Sequence, residues 1–280
     1  MAKTMLEGIP KKEYPRLFYR YFKEFLEVLV GKTSLKLYLA YNYPSFYKPK
    51  FKEGEKLKWR GIEFISPSAY GFTHEMPFIL GCDMYSTPEC HVEAGDIVFD
   101  VGTHFGSFSY YAVQKGAREV YAFEPNPYVF EILKKHAEMW SDKIKPYQLA
   151  LSDKNGEADL FISEGLELGG VSTMLKNKEK SALKFYKYNK KVKVKTMTLD
   201  SFVKEYNVER VDFIKIDAEG SEREILKGAK ETIKRFKPKM AIAAYHLPDD
   251  KKVIPELVVS IRDDYKFKLV NKGKEDLFFF

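Results

Sequence analysis

From Asp96 onward, the 280-residue chain alternates short apolar runs of β-type residues with longer stretches of helical periodicity. Strands are predicted over 97–101 and 119–123, and helices over 107–115 and 127–140 follow them. This alternation is typical of a mostly parallel sheet with helices packed on its faces. The pattern therefore predicts an α/β, Rossmann-like fold, and the length argues against disulfide miniproteins and long repeat arrays.

The rest of this region completes the predicted sheet and interrupts it once, with a hairpin-like insertion around a glycine-rich turn at 165–170. Because the last two strands are separated only by a short turn, we expect the sheet to close with a terminal antiparallel hairpin. The remaining predicted elements are strand 144–151, strand 158–163, strand 192–196, strand 211–217, helix 221–236, strand 240–245, helix 248–262, strand 265–270 and strand 276–280.

The first 90 residues do not follow this pattern. An amphipathic helix is predicted over 14–30 and a short strand over 59–65, with irregular sequence rich in Tyr, Lys and Pro between them. We therefore divide the chain into an N-terminal extension, residues 1–90, and a catalytic-type α/β domain, residues 91–280. The extension is a candidate region for binding an acceptor or a partner.

Positive charge is concentrated in two segments of a chain whose formal net charge is +7. Residues 1–60 contain fourteen Lys or Arg against six Asp or Glu, and residues 176–195 contain nine lysines against Glu179 alone. Such segments suit an anionic partner, and we hypothesise that 176–195 forms a lid over an anionic acceptor. The alternative is an ordinary solvated lysine-rich surface.

A glycine-containing loop follows the first buried strand, where residues 100–106 read Asp-Val-Gly-Thr-His-Phe-Gly. Gly102 permits a tight turn, and Gly106 lets the next helix begin close to a ligand. The dinucleotide fingerprint G-x-G-x-x-G is absent, because His104 stands where its second glycine would approach a pyrophosphate. This argues against an NAD site.

Glu124 ends the second strand, 18 residues after Gly106, where a carboxylate can accept hydrogen bonds from both ribose hydroxyls of an adenosine cofactor. Ala150 and Leu151 end the third strand, where an adenine ring would lie. An adenosine cofactor without a phosphate-binding loop suggests S-adenosylmethionine. The alternative for Glu124 is a surface acid that caps the next helix.

Functional acids are predicted at the end of the fourth strand. Asp217 ends that strand near the point where the strand order reverses, and Glu219 and Glu222 follow it. His246 ends the fifth strand, where a histidine can serve as a base near neutral pH. Glu222 has the alternative role of favouring a helix N-terminus, and His246 that of a structural histidine. We expect His136, beside two lysines on a helix, to be solvated.

The chain resembles the FkbM methyltransferase family in two motifs, the loop at 100–106 and the stretch 215–222, which reads Lys-Ile-Asp-Ala-Glu-Gly-Ser-Glu. Thr103 and His104 replace the Ala-Asn usual in the family. The resemblance implies S-adenosylmethionine as cofactor and S-adenosylhomocysteine as product. From their positions at the strand ends, Asp217, Glu219 and His246 are the candidate catalytic residues. The candidate cofactor-binding residues are Asp100, Gly102, Thr103, His104, Gly106, Glu124, Pro125, Asn126, Ala150, Leu151 and Asp217.

The resemblance implies methylation of a hydroxyl on a saccharide, glycolipid or natural-product acceptor, and a base would help to remove the hydroxyl proton. Two alternatives stay open: an RNA methyltransferase that uses the thirteen aromatic residues among the cations of 1–60, and a non-catalytic adapter with the same fold. No metal ligands are assigned, because Cys82, Cys90 and the nearby histidines fit no metal-site spacing.

The two cysteines indicate no disulfide framework, and neither a signal peptide nor a membrane span is predicted. We therefore expect a cytoplasmic protein. The basic surroundings of the predicted helix at 14–30 leave peripheral membrane contact open. The oligomeric state is not predicted.

Overall fold

The computed structural model describes residues 55–59, 61–65, 84–163, 172–176, 181–272 and 274–280. The strands found there are β1 (Lys56–Trp59), β2 (Ile62–Ile65), β3 (Ile97–Val101), β4 (Glu119–Phe123), β5 (Ile144–Tyr147), β6 (Ala150–Leu151), β7 (Gly156–Ser163), β8 (Ser172–Thr173), β9 (Tyr188–Met197), β10 (Phe213–Ile216), β11 (Lys239–Ala243), β12 (Phe267–Asn271) and β13 (Glu275–Phe279). The helices are α1 (Ser107–Gln114), α2 (Pro127–Trp140), α3 (Leu199–Glu205), α4 (Glu222–Lys227), α5 (Lys230–Phe236) and α6 (Asp250–Ile261), with a 3₁₀ turn at Ala182–Phe185.

Seven strands form the central sheet in the order β12-β13-β11-β10-β3-β4-β5. The five strands from β11 to β5 run parallel, and β13 is antiparallel to both β11 and β12. The predicted α/β fold and its closing antiparallel hairpin are thus confirmed. The chain leaves β3 towards β4 and β5 and later returns to β10 on the other side, so the strand order reverses between β3 and β10.

Every residue of β3 and β10 is buried, because helices cover both faces of the sheet. On one face Phe99, Phe123 and Phe202 form an aromatic core, in which the ring centroids of Phe123 and Phe202 are 4.7 Å apart. The predicted bounds of β3, β4 and α2 are confirmed to the residue. The sequence places the carboxyl ends of these strands correctly, and those ends position the site.

The predicted strand over 144–151 is wrong, because the chain divides it between two sheets. Phe123, the last residue of β4, pairs with Tyr147, so within the described part of the chain the residues after Tyr147 have no neighbouring strand in the central sheet. Ala150 and Leu151 instead form β6 beside β9, in a second sheet of order β6-β9-β7-β8. The predicted hairpin-like insertion is the antiparallel pair of β7 and β9 within that sheet.

The predicted helix over 221–236 is wrong in one respect, since it consists of α4 and α5 with a break at Gly228. A side chain at Gly228 would overlap the carbonyl oxygen of Ser152, so the backbones approach closely there. The Gly228 carbonyl accepts a hydrogen bond from the backbone N–H of Asp200. The Asp200 carboxylate in turn accepts hydrogen bonds from the backbone N–H groups of Glu231 and Thr232, in the first turn of α5.

We expect Asp200→Ala to lower the free energy of unfolding by about 2 kcal/mol, because it leaves the first N–H groups of α5 without their acceptor. Chemical denaturation with the circular dichroism signal as readout measures this change. Asp142→Ala, at an exposed turn, is the matched control and should change stability by less than about 0.5 kcal/mol. Equal effects of the two substitutions would contradict the capping role of Asp200.

The predicted strand over 59–65 is instead a hairpin in which β1 pairs with β2. The hairpin lies on α2, where Trp140 Nε1 donates a hydrogen bond to the Glu63 carbonyl and His136 Nε2 accepts one from Ile65 N at 2.8 Å. The prediction of a solvated His136 is therefore wrong, since its side chain is fully buried. The adjacent lysines suggest an exposed face, whereas β2 covers the histidine.

The predicted helix at 14–30, the turn at 165–170 and part of the lysine-rich segment lie outside the described residues. The division at residue 90 stays a prediction. Among the helices of the described ranges, none has the length and apolar character needed to cross a bilayer.

Candidate active site

The loop after β3 turns sharply because three of its residues adopt a left-handed backbone: Gly102 (φ +70°), His104 (φ +54°) and Gly106 (φ +89°). The backbone N–H groups of Gly102 and Thr103 both donate to the carbonyl of Phe123, at the end of β4. A side chain at Gly102 would overlap the carbonyl oxygen of Asp217. The loop is thus held directly against the ends of β4 and β10.

Asp100 supports this loop from below. Its Oδ2 accepts hydrogen bonds from the hydroxyls of Thr103 (2.5 Å) and Ser109 (2.7 Å), and its Oδ1 lies 3.2 Å from Lys215 Nζ. Lys215 also donates to the carbonyl of Gly102 at 2.7 Å. Asp100 is 0% exposed and Thr103 is 2% exposed. These two predicted cofactor residues therefore have their polar atoms engaged inside the protein, and supporting roles for them are our proposal.

Lys215 is a residue of this network that sequence reasoning did not assign to the site. It stands in the four-residue strand β10, whose other members are apolar, and it is 4% exposed. A lysine is almost never buried without a partner. Its position in an apolar run was the available signal that a buried carboxylate, here Asp100, lies opposite.

Glu124 lies at the end of β4 and faces the same loop. Its Oε2 accepts a hydrogen bond from His104 N at 3.0 Å, and its Oε1 accepts one from Asn126 N at 2.8 Å. Burial raises the pKa of Glu124 above its ordinary value, an effect that His104 and Lys215 partly offset. The carboxylate is therefore fixed in orientation and sits in a weakly solvated environment.

Asn126 caps α2 as predicted, with its side-chain oxygen accepting from Tyr128 N at 3.0 Å, and it also donates to Ser172 Oγ. Pro125 is half-buried beside it. Ala150 and Leu151 are 3% and 2% exposed, with their side chains packed in hydrophobic clusters. Cofactor contacts by these four residues stay predictions.

The predicted acids and histidine come together at the ends of β10 and β11. His246 Nε2 lies 3.2 Å from Glu219 Oε2 and 3.6 Å from Asp217 Oδ1. The three residues can present one ligand atom each within 4.8 Å of one another, so they are also a group that could hold a metal ion. We call Asp217, Glu219 and His246 the acid-histidine cluster.

Asp217 is held by residues that no sequence motif singles out. Its carboxylate accepts hydrogen bonds from the hydroxyls of Tyr85 (2.8 Å) and Tyr245 (3.1 Å), and Lys274 Nζ lies 3.7 Å away. Burial alone would raise the pKa of Asp217. The positive charges of Lys274, His246 and Lys215 outweigh that effect and lower the pKa well below its usual range.

Glu222 holds the other side of His246, since its Oε1 lies 3.0 Å from His246 Nδ1. Glu222 is fully buried, and its Oε1 also accepts a hydrogen bond from Ala218 N. Its role thus extends beyond favouring the N-terminus of α4. Burial alone would lower the pKa of His246, but the Glu222 and Glu219 carboxylates outweigh it and raise that pKa well above the usual value.

Glu219 is the most exposed member of the acid-histidine cluster. Its side chain is 29% exposed, against 11% for Asp217 and 1% for His246. Its backbone has φ +50°, and its carbonyl accepts a hydrogen bond from Thr173 Oγ1 in β8 at 2.7 Å. The inserted sheet therefore fixes the loop that carries Glu219.

A family model described as the methyltransferase FkbM domain matches residues 100–269, more than half of the chain. This chain belongs to the FkbM methyltransferase family. The matched range contains the loop after β3, Glu124 and the acid-histidine cluster. Membership implies a methyl donor of the S-adenosylmethionine type.

Two curated relatives of this FkbM protein have names that state an activity. The 2-O-methyltransferase NoeI of Sinorhizobium fredii is 26% identical over 144 residues, which cover 49% of this chain and 58% of NoeI. The hexuronic acid methyltransferase AglP of Haloferax volcanii is 24% identical over 183 residues, 65% of this chain and 70% of AglP. The chain thus spans just over half the length of NoeI.

Solved structures include a methyltransferase FkbM from Methylobacillus flagellatus. It is 20% identical to this chain, with a TM-score of 0.49, and the match covers 67% of this chain and 44% of the other.

Proposed function

We propose that this FkbM family member transfers a methyl group from S-adenosylmethionine to a hydroxyl of a saccharide-type acceptor. The observation that carries the proposal is the acid-histidine cluster beside the Gly102 loop, at the carboxyl ends of β3 and β10 where the strand order reverses. Ligands of open α/β sheets bind at that position. The name of AglP supports a sugar acid as the acceptor, and the name of NoeI supports an oxygen atom as the site of methylation.

The loop after β3 fits an adenosine cofactor that lacks phosphate groups. The N–H groups of Gly102, Thr103 and Gly106 all donate to backbone carbonyls, and that of His104 donates to Glu124. Few loop N–H groups therefore remain to bind a pyrophosphate. When ionised, the Glu124 carboxylate accepts hydrogen bonds and donates none. It therefore suits the two hydroxyls of a ribose, which can donate to it.

When bound, S-adenosylmethionine supplies a methyl group already activated as a sulfonium. The protein must then place the acceptor hydroxyl and receive its proton. We propose that Glu219 receives the hydroxyl proton, because it is the most exposed carboxylate of the cluster. A carboxylate suffices for this step, since the hydroxyl proton becomes strongly acidic as the new carbon–oxygen bond forms.

The other members of the cluster position Glu219 and the acceptor. His246 lies between Glu222 and Glu219, with its Nε2 3.2 Å from Glu219 Oε2, and these carboxylates raise its pKa well above the usual value. Asp217, held by two tyrosine hydroxyls, orients a second group of the acceptor. Residues 1–90 are proposed to shape the acceptor side of the site.

We expect Glu124→Gln to weaken binding of S-adenosylhomocysteine about 10- to 100-fold, because an ionised acceptor of two ribose hydrogen bonds is lost. In the wild type, the affinity should be constant above the raised pKa of Glu124 and fall as the pH drops through it, since protonation removes the acceptor. The variant should lack this pH dependence. Isothermal titration calorimetry at several pH values measures both effects.

Glu131→Gln, on the exposed surface of α2, is the matched control and should bind like the wild type at every pH. Equal affinity and equal pH dependence of Glu124→Gln and the wild type would place the ribose elsewhere.

The proposed activity is tested by incubating the purified chain with S-adenosylmethionine that carries a deuterated methyl group. The acceptors offered are oligosaccharides with uronic acids, neutral oligosaccharides and transfer RNA, and mass spectrometry locates the label. An alkali-stable methyl ether on a sugar is the expected product. An alkali-labile methyl ester would move the acceptor atom to a carboxylate, and label on RNA would favour the nucleic-acid alternative.

A further inference from the structure

Several buried polar atoms around His246 have no hydrogen-bond partner within the described residues: both ring nitrogens of His246, Oε2 of Glu222 and Oδ1 of Asp276. Buried polar atoms in proteins are normally paired, so a group of unpaired ones needs an explanation. Carboxylate oxygens of Glu222 and Glu219 lie 3.0 and 3.2 Å from the ring nitrogens, as ion-pair contacts that do not count as hydrogen bonds. His246 is 1% exposed, and its Nε2 faces the space between Asp217 and Glu219.

We propose that Asp217, Glu219 and His246 bind a divalent cation and leave open coordination positions for hydroxyls of the acceptor. The three ligand atoms lie within 4.8 Å of one another, which suits ligands around one ion. Catalytic metal sites typically have three protein ligands and an open position. Here the partly exposed side chains of Asp217 and Glu219 mark the open side, and buried His246 marks the closed side.

The residues around the cluster match the outer shell of a metal site. A metal-binding histidine usually gives its other ring N–H to a carboxylate, which fixes the ring. Glu222 is the carboxylate beside this second nitrogen, with Oε1 3.0 Å from His246 Nδ1. The hydroxyls of Tyr85 and Tyr245 orient the carboxylate of Asp217 in the same way.

The charges and ligand types indicate the class of cation. Among the described residues, the carboxylates of Asp217, Glu219, Glu222 and Asp276 outnumber the two nearby lysines, Lys274 and Lys215, so a cation reduces the repulsion among them. Carboxylates suit Mg²⁺ and Mn²⁺, whereas imidazole suits the later transition metals. Mn²⁺ accepts this mixed set of two oxygen ligands and one nitrogen ligand.

The cation adds a role for a metal ion to the proposed methyl transfer, and this inference rests on that proposed function. A hydroxyl bound to the ion becomes more acidic, and its O–H bond breaks as the proton passes to the Glu219 oxygen that is not bound to the ion. The acceptor oxygen forms the new bond to the methyl carbon. The carbon–sulfur bond breaks, and its electron pair stays on the sulfur of S-adenosylhomocysteine. An acceptor with neighbouring hydroxyls, or a hydroxyl beside a carboxylate, can chelate the ion.

Titration of the untagged, EDTA-treated full chain with Mn²⁺, followed by electron paramagnetic resonance, tests the site. We expect one saturable site per chain in the wild type. Glu219→Gln and His246→Gln should weaken binding at least about tenfold, since even an outer-shell change costs 10- to 100-fold. His91→Gln, a histidine outside the cluster, should bind Mn²⁺ like the wild type.

Wild-type protein that shows no saturable Mn²⁺ binding would overturn the proposal, as would binding that Glu219→Gln leaves unchanged. Thermal melting of each variant verifies folding, and Glu219→Gln serves if His246→Gln does not fold, because Glu219 is partly exposed. Binding of S-adenosylhomocysteine is measured on the same samples. If the protein binds S-adenosylhomocysteine but not Mn²⁺, the cation is rejected and the proposed methyl transfer still stands.

Discussion

Glu219→Gln is expected to lower kcat for methyl transfer by about 10²- to 10⁴-fold, the range that proton transfer by a positioned side chain contributes. The substitution keeps the size of the side chain, and the backbone carbonyl of residue 219 keeps its hydrogen bond from Thr173. The loop should therefore hold its shape. A neutral amide cannot receive the acceptor proton, so the loss should fall on kcat. Steady-state kinetics with a saccharide acceptor measure it.

Binding of S-adenosylhomocysteine separates a chemical role of Glu219 from a structural one. We expect Glu219→Gln to bind it within about twofold of the wild type, because Glu124 and the Gly102 loop are unchanged. Glu256→Gln, an exposed acid on α6, should match the wild type in both measurements. A kcat like that of the wild type would remove Glu219 from the reaction. A parallel loss of cofactor affinity would make it a positioning residue.

Local signals explain why part of the fold was predictable. The bounds of β3 and β4 follow from apolar runs that are buried on both faces, and α2 begins where Asn126 and Pro127 form a start signal. The acid-histidine cluster was predictable for a related reason. Neighbouring parallel strands end at the same edge of a sheet, so Asp217 and His246 had to lie close together once β10 and β11 were assigned.

The features that sequence reasoning missed depend on pairings between distant parts of the chain. His136 is buried because β2, 71 residues earlier, covers it. Tyr85 binds Asp217 across 132 residues, and Asp200 caps α5 from α3. No periodicity or spacing near these residues reveals such a partner. Lys215 was also missed, but unlike these residues it carried a local signal, a charge inside an apolar strand.

The second large effect is expected for Gly102→Ala, which should destabilise the protein by about 2–5 kcal/mol and abolish measurable binding of S-adenosylhomocysteine. Gly102 has φ +70°, where a side chain costs about 1–2 kcal/mol. The added methyl group would also overlap the Asp217 carbonyl oxygen at well under 3.0 Å, and overpacking of this kind costs about 1–3 kcal/mol. Chemical denaturation and calorimetric titration measure the two effects.

Two other glycines separate the backbone cost of Gly102→Ala from the cost of its steric overlap. Gly95 has φ +88° with no atom near an added methyl group, so Gly95→Ala measures only the cost of a side chain at positive φ. This variant should bind S-adenosylhomocysteine like the wild type. Gly228→Ala creates an overlap with the Ser152 carbonyl away from the loop, so it should destabilise the protein yet keep its affinity for S-adenosylhomocysteine.

If Gly102→Ala instead behaves like Gly95→Ala, the close approach of the loop to Asp217 does not hold the site together. If it behaves like Gly228→Ala, the approach stabilises the fold but does not shape the cofactor site. Loss of affinity beyond both controls is the result that ties the loop after β3 to the acid-histidine cluster as one unit.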